Sequence, residues 1–110
     1  METSSQLLKG MLDIAVLAVL TRGESYGYAV LGALGDAGIP VAYPSVYGTL
    51  RRLEDLGYLS SRTQGSPAGP ERRYYAITDV GRTELADQAA SWRKLSAALE
   101  GLIIEAEESR

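Results

Sequence analysis

Cysteine and histidine are both missing from this 110-residue chain. Without cysteine there are no disulfides and no thiolate metal sites. Without histidine, the commonest general base and the commonest metal ligand are gone, with every Ser-His and Cys-His arrangement. No pair of carboxylates stands out as an acid–base site, and there is no glycine-rich phosphate loop. The expectation is a binding protein rather than an enzyme, with no catalytic residue, no metal and no cofactor.

A long hydrophobic run is missing too. The stretch Met11 to Leu20 is apolar but holds Asp13, and it is too short to span a bilayer. Thr21-Arg22-Gly23-Glu24 follows it where a signal peptide would have small residues. A cytoplasmic protein without a membrane partner is expected. The length suits one domain with a modest core, which makes pairing with a second copy plausible.

Positive charge is scarce overall, with a net charge of −3, but it is unevenly placed. Residues 1–44 carry a net −2, residues 45–75 a net +2 and residues 76–110 a net −3. The basic middle holds Arg51, Arg52, Arg62, Arg72 and Arg73. Contact with phosphate depends on the local field more than on the total, so an acidic protein can bind DNA through one basic face.

Within that middle, Val46, Leu50, Leu53 and Leu56 recur at helical spacing. Pro44 suits the first turn of such a helix and Gly57 the position just past its end. The other face carries Ser45, Tyr47, Gly48, Thr49, Arg51 and Arg52, with no acid before Glu54. A helix with one buried face and such groups on the other fits a DNA major groove; an ordinary amphipathic surface helix is the alternative.

Before this helix, Leu7 to Leu20 reads as a broad apolar helix, capped by Ser4 or Ser5 and stopped at Gly23. A second runs from about Tyr26 to Leu34, with Ser25 as its N-cap and Tyr28 packing in the core. After Gly57 the period changes to that of strands. Tyr58–Thr63 and Arg72–Ile77 form a hairpin around the turn-rich segment 64–71. Thr78 then caps a final helix of about 28 residues, near 42 Å long, which outruns so small a domain. Its heptad seam of Leu85, Trp92, Leu99 and Ala106, with Leu95 nearby, suits a partner helix.

These pieces resemble the PadR family of bacterial transcriptional regulators. The matching residues are Leu8-Lys9-Gly10, Ser25-Tyr26-Gly27-Tyr28, Tyr43-Pro44-Ser45-Val46-Tyr47 with Arg52-Leu53-Glu54, and Arg72-Arg73-Tyr74-Tyr75-Ala76-Ile77-Thr78-Asp79-Val80-Gly81-Arg82. The likeness runs from about Leu7 to Trp92. It implies a mostly α fold with a small β-hairpin (α+β): a winged helix-turn-helix DNA-binding domain over 1–78 and a dimerisation helix over 79–110. It further implies a homodimer joined by the first and last helices, with third helices in successive major grooves of a pseudo-palindromic operator. Repression would be relieved by a small hydrophobic or aromatic effector. A winged-helix module that binds proteins instead of DNA is the alternative. Two positions depart from the family pattern: Tyr43 replaces a capping hydroxyl, and Gly48 replaces proline or a larger residue.

Expected contacts to double-stranded DNA follow. Ser45 and Thr49 face phosphates or base edges, with helix capping as the alternative for Ser45. Tyr47 reaches phosphate or packs on the wing. Arg51 and Arg52 contact phosphate or guanine, or pair with Glu54 or Asp55 one turn away. Gly48 lets the backbone approach closely. Arg72 and Arg73 point to opposite faces of the wing strand, so only one faces DNA. By resemblance, Lys9 and Tyr26 touch phosphate. Trp92, Leu95, Leu99, Leu8 and Leu12 form the dimer and effector surface, where Trp92 either sandwiches a flat ligand or only packs the dimer.

Overall fold

The computed structural model describes residues 3–66 and 68–109, with side chains from Met11 onward except at Ser66. Its elements run α1 (Thr3–Leu20), β1 (Ser25–Tyr26), α2 (Gly27–Asp36), α3 (Tyr43–Asp55), β2 (Leu59–Ser66), β3 (Gly69–Ile77) and α4 (Asp79–Glu108). This is the mostly α, α+β winged-helix architecture, ending in a long helix.

Helix α1 packs against α2, α3 and α4, which explains why so few of its positions are polar. Leu12, Val16, Leu17 and Leu20 meet Val30 and Leu34 of α2 and Val46, Leu50 and Leu53 of α3, and Leu59 and Tyr75 close the core from the sheet. Burying each such side chain contributes about 1.5–3 kcal/mol. Two helices end on left-handed glycines, Gly38 (φ 87°) and Gly57 (φ 86°). At Gly57 the next two amides fold back, Gly57 N–H to the Glu54 carbonyl and Tyr58 N–H to the Leu53 carbonyl, both at 2.9 Å. That pattern closes a helix only if the residue past its end tolerates positive φ.

Four local expectations change. Leu56 belongs to the inward period of α3 but lies past its last turn and is exposed. Ser25 does not cap α2. It sits in β1, whose Ser25 and Tyr26 pair with Tyr75 and Tyr74, so the hairpin becomes a three-stranded antiparallel sheet ordered β1-β3-β2. Tyr28 is 64% exposed rather than in the core. The strands also extend into the turn-rich segment, with Ser66 opposite Gly69.

Thr78 caps α4 as expected: its Oγ1 accepts from the Gly81 amide at 3.0 Å and donates to the Gly57 carbonyl at 2.8 Å. One hydroxyl thus ties α4 to the end of α3. The helix then leaves the domain. The radius of gyration is 16.5 Å, against about 13 Å for a compact chain of this length.

Candidate nucleic-acid interface

Helix α3 presents Ser45, Tyr47, Gly48, Arg51 and Arg52 to solvent. Thr49 turns inward instead. It is 7% exposed and its hydroxyl donates to the Ser45 carbonyl at 2.8 Å. A hydroxyl one turn from its own backbone acceptor can be buried at little cost, which is why polarity misjudged its direction. Neither α2 nor α3 has a side-chain cap or an acid in its first turn, so Ser45 is not a cap. At the start of α3, Pro44 has no N–H and the Ser45 and Val46 amides fold back on the Ala42 carbonyl; both helices keep the positive dipole end of an N-terminus.

Between the start of α2, the outer face of α3 and the hairpin lies a cleft of about 470 Å³, lined by five tyrosines (Tyr26, Tyr28, Tyr43, Tyr47 and Tyr75), by Arg72 and Arg73, and by the acid Glu71. One wall is a row of rings. Tyr28 stacks on Tyr43 at 4.1 Å and 6°, and Tyr43 lies 6.1 Å from Tyr47. The Tyr47 hydroxyl accepts from Arg51 Nη1 at 2.8 Å. The opposite wall is the wing: Arg72 lies 4.4 Å over the Tyr26 ring, whose edge meets Tyr74 at 5.5 Å. Gly27 is required here because a Cβ would come within 2.8 Å of the Tyr43 ring and hydroxyl. Burial, then the neighbouring Tyr28 and Tyr47, pushes the Tyr43 phenol above its ordinary range, so it stays a donor.

The arginines of the basic stretch divide by partner. Arg52 forms a two-pronged pair with Asp13 of α1, and Arg62 forms one with Glu24. Those charges are met by carboxylates. Arg51 rests on a phenol, Arg72 on a ring and Arg73 on the Ser61 hydroxyl at 2.8 Å. The direct side-chain partners of these three among the described residues are neutral groups; Asp55 acts on Arg51 from nearby and Glu71 lines the cleft itself, so the positive charge beside the cleft is only partly offset. The acid that holds Arg52 is Asp13, far from it in sequence, and neither Glu54 nor Asp55. Arg72 and Arg73 alternate along β3, and both line the cleft.

The side chains of Leu8 and Lys9 lie outside the described residues. Leu12, assigned to the dimer surface, is 8% exposed and belongs to the core of its own domain. A broadly apolar helix gives no sign of which side meets its own chain. Trp92, Leu95 and Leu99 are exposed, and together with Ile14 of α1 they line an open groove of about 600 Å³. Sequence reasoning missed Tyr28 and Tyr43. One signal was present: the chain has seven tyrosines and no phenylalanine, so each ring but Trp92 carries a hydroxyl. That bias suits surfaces that must stack and hydrogen-bond together.

No described helix is long and apolar enough to cross a membrane. Comparison with known proteins agrees with the geometry. The crystal structure of a PadR family transcriptional regulator from Eggerthella lenta DSM 2243 matches with a TM-score of 0.83 and 36% identity, covering 89% of this chain and 86% of that one. The Bacillus subtilis (strain 168) negative transcriptional regulator PadR is 31% identical over 84 residues; the match covers 70% of this chain but 44% of that protein, so this chain spans under half of its length. A crystal structure of Bacillus subtilis PadR in complex with operator DNA matches with a TM-score of 0.66 and 28% identity, over 71% of this chain and 46% of that one. The profile of the transcriptional regulator PadR-like family matches residues 16–87, from the middle of α1 through every wall of the cleft into α4. By that match this chain belongs to the PadR-like family and is a transcriptional regulator, not an enzyme.

Proposed function

We propose that the chain is a repressor that binds a pseudo-palindromic operator as a homodimer and is released by a small hydrophobic or aromatic effector. The observation that carries the DNA part is the pairing pattern of the arginines: Arg51, Arg72 and Arg73 keep their charge beside a tyrosine-lined cleft. With α3 in the major groove and the wing toward the minor groove, the sugar–phosphate ridge between the grooves runs along that cleft. Tyrosine hydroxyls, the arginines and the open N-terminus of α2 then meet phosphate oxygens. Ser45 and Gly48 leave room for the backbone of α3 to approach the bases. The structure of the Bacillus subtilis relative in complex with operator DNA supports DNA as the partner.

Residues 1–78 form the DNA-binding head and 79–110 the dimerisation helix. Support for the dimer comes from α4, where Leu95, Leu99, Leu102, Ile103 and Ile104 are all exposed. Apolar surface of that extent on one helix calls for a partner. The groove beside Trp92 is the effector site of this reading. Because Ile14 of α1 lines it, an occupant touches the helix on which α3 packs.

The test is fluorescence anisotropy against the promoter region of the chain's own gene, across a salt series. Arg51→Ala is expected to weaken binding and reduce the salt slope by about 1. A dimer that binds no duplex at low salt would overturn the DNA reading and favour a protein-interaction module.

A further inference from the structure

Antiparallel register puts Ser61 opposite Tyr75 and Thr63 opposite Arg73. Cross-strand partners share a face, and so do residues two apart. Arg73, Tyr75 and Ser61 therefore all point to one side of the wing, and Arg73 reaches Ser61 along the diagonal. Its Nη1 donates to the Ser61 hydroxyl at 2.8 Å. That hydroxyl in turn donates to Oε2 of Glu54 in the last turn of α3. A serine hydroxyl has one proton. Accepting from the cation leaves that proton for the carboxylate, so the relay has a fixed direction. Tyr75, on the same face of the wing, is 2% exposed and belongs to the core cluster that includes Val46, Leu50 and Leu53 of α3.

The spacing matters. Arg52 and Arg62 sit directly on carboxylates. Arg73 is separated from its acid by one hydroxyl, so only one of its five N–H donors is engaged by Ser61. Among the described residues the other donors have no hydrogen-bond partner, while the guanidinium is held in place. A long side chain that is already braced loses less conformational freedom on binding.

We propose that Ser61 and Glu54 are positioning residues: they aim Arg73 of the wing at a DNA phosphate and couple the wing to the reading helix, without touching DNA themselves. The proposal rests on the DNA interface described above. It assigns work to two residues outside the expected contact set, one of them an acid.

A double-mutant cycle tests it, using the full chain and an operator duplex read by anisotropy. Ser61→Ala removes the bridge without changing charge. It is expected to weaken binding by about 3- to 10-fold in the natural background and to change nothing further when Arg73→Ala is present, as coupled pairs do. Ser61→Thr keeps the hydroxyl and is expected to restore affinity and salt slope. Thermal melting of each variant without DNA separates folding from positioning. If Ser61→Ala is silent, or weakens binding equally with and without Arg73, the relay is overturned while the DNA interface stands. If the unaltered chain binds no duplex at low salt, the interface fails and the relay fails with it.

Discussion

Arg52 of α3 directs two guanidinium nitrogens at the carboxylate of Asp13 in α1, 39 positions earlier. The guanidinium sits on the outer face of α3, the face proposed to meet DNA, and is held there by an acid. Arg52 is about half exposed and Asp13 more buried, so screening limits the pair to about 1 kcal/mol or less. Asp13→Asn is therefore expected to change stability little. It releases Arg52 for phosphate, raising duplex affinity and steepening the salt dependence by about 0.9 per added contact. Anisotropy titrations at several salt concentrations read both. Unchanged affinity and slope would mean Arg52 does not reach the backbone.

Gly48 and Gly81 make a contrasting pair. Nothing lies within 4 Å of a Cβ built on Gly48, whereas one on Gly81 falls 2.1 Å from the Tyr58 carbonyl oxygen and 2.9 Å from Ile77 Cγ1. Gly48→Ala should stabilise the helix by about 0.5–1 kcal/mol while weakening DNA binding, because in the proposed docking the added methyl would stand between α3 and the bases. Gly81→Ala should destabilise by about 3 kcal/mol or more, since a backbone carbonyl cannot move aside as a side chain can. Urea denaturation of the two variants should shift in opposite directions.

Tyr75 buries its hydroxyl with no partner among the described residues. Tyr75→Phe removes a desolvated polar group and is expected to raise stability by about 1 kcal/mol. Burial first, then the charge of Glu54, holds this phenol above its ordinary value of 10. The folded state thus keeps a proton that the unfolded chain gives up near pH 10. Stability should fall as pH rises past that point, with Tyr43 acting in the same direction. Denaturant midpoints between pH 9 and 11 should flatten in Tyr75→Phe.

Glu24 behaves oppositely. Its hydrogen bond to Arg62 lowers its pKa below 4.5. The pair contributes above that pH, and the contribution is lost as acid takes the folded carboxylate through its lowered value. Both groups are exposed, so the effect is small and fades with added salt. Glu24→Gln should remove part of the low-salt stability slope below pH 4.5.

Leu99, 57% exposed on α4, tests assembly. Burying one leucine per copy contributes about 1.5–3 kcal/mol each, so Leu99→Glu should weaken dimerisation by at least about 100-fold. Sedimentation should then show single subunits at concentrations where the unaltered chain pairs. Operator affinity should fall with it.

Helices and strands were legible because each is written in local spacing. Val46, Leu50 and Leu53 mark α3 by period, Gly57 ends it by conformation, and Thr78 starts α4 by its side-chain acceptor. Missing cysteine and histidine ruled out most catalysis, and the charge split located the basic face. Tertiary structure alone decided which charges there have a carboxylate in direct contact and which do not. Asp13 and Glu24 reach Arg52 and Arg62 only once α1 and the segment before β1 are packed beside α3 and the wing. The same packing gathers five tyrosines from three segments into one cleft and turns Thr49 inward. Periodicity reports which side of an element avoids water; it carries no information about which distant element will cover that side. Partners separated by dozens of residues are therefore settled only when the core closes.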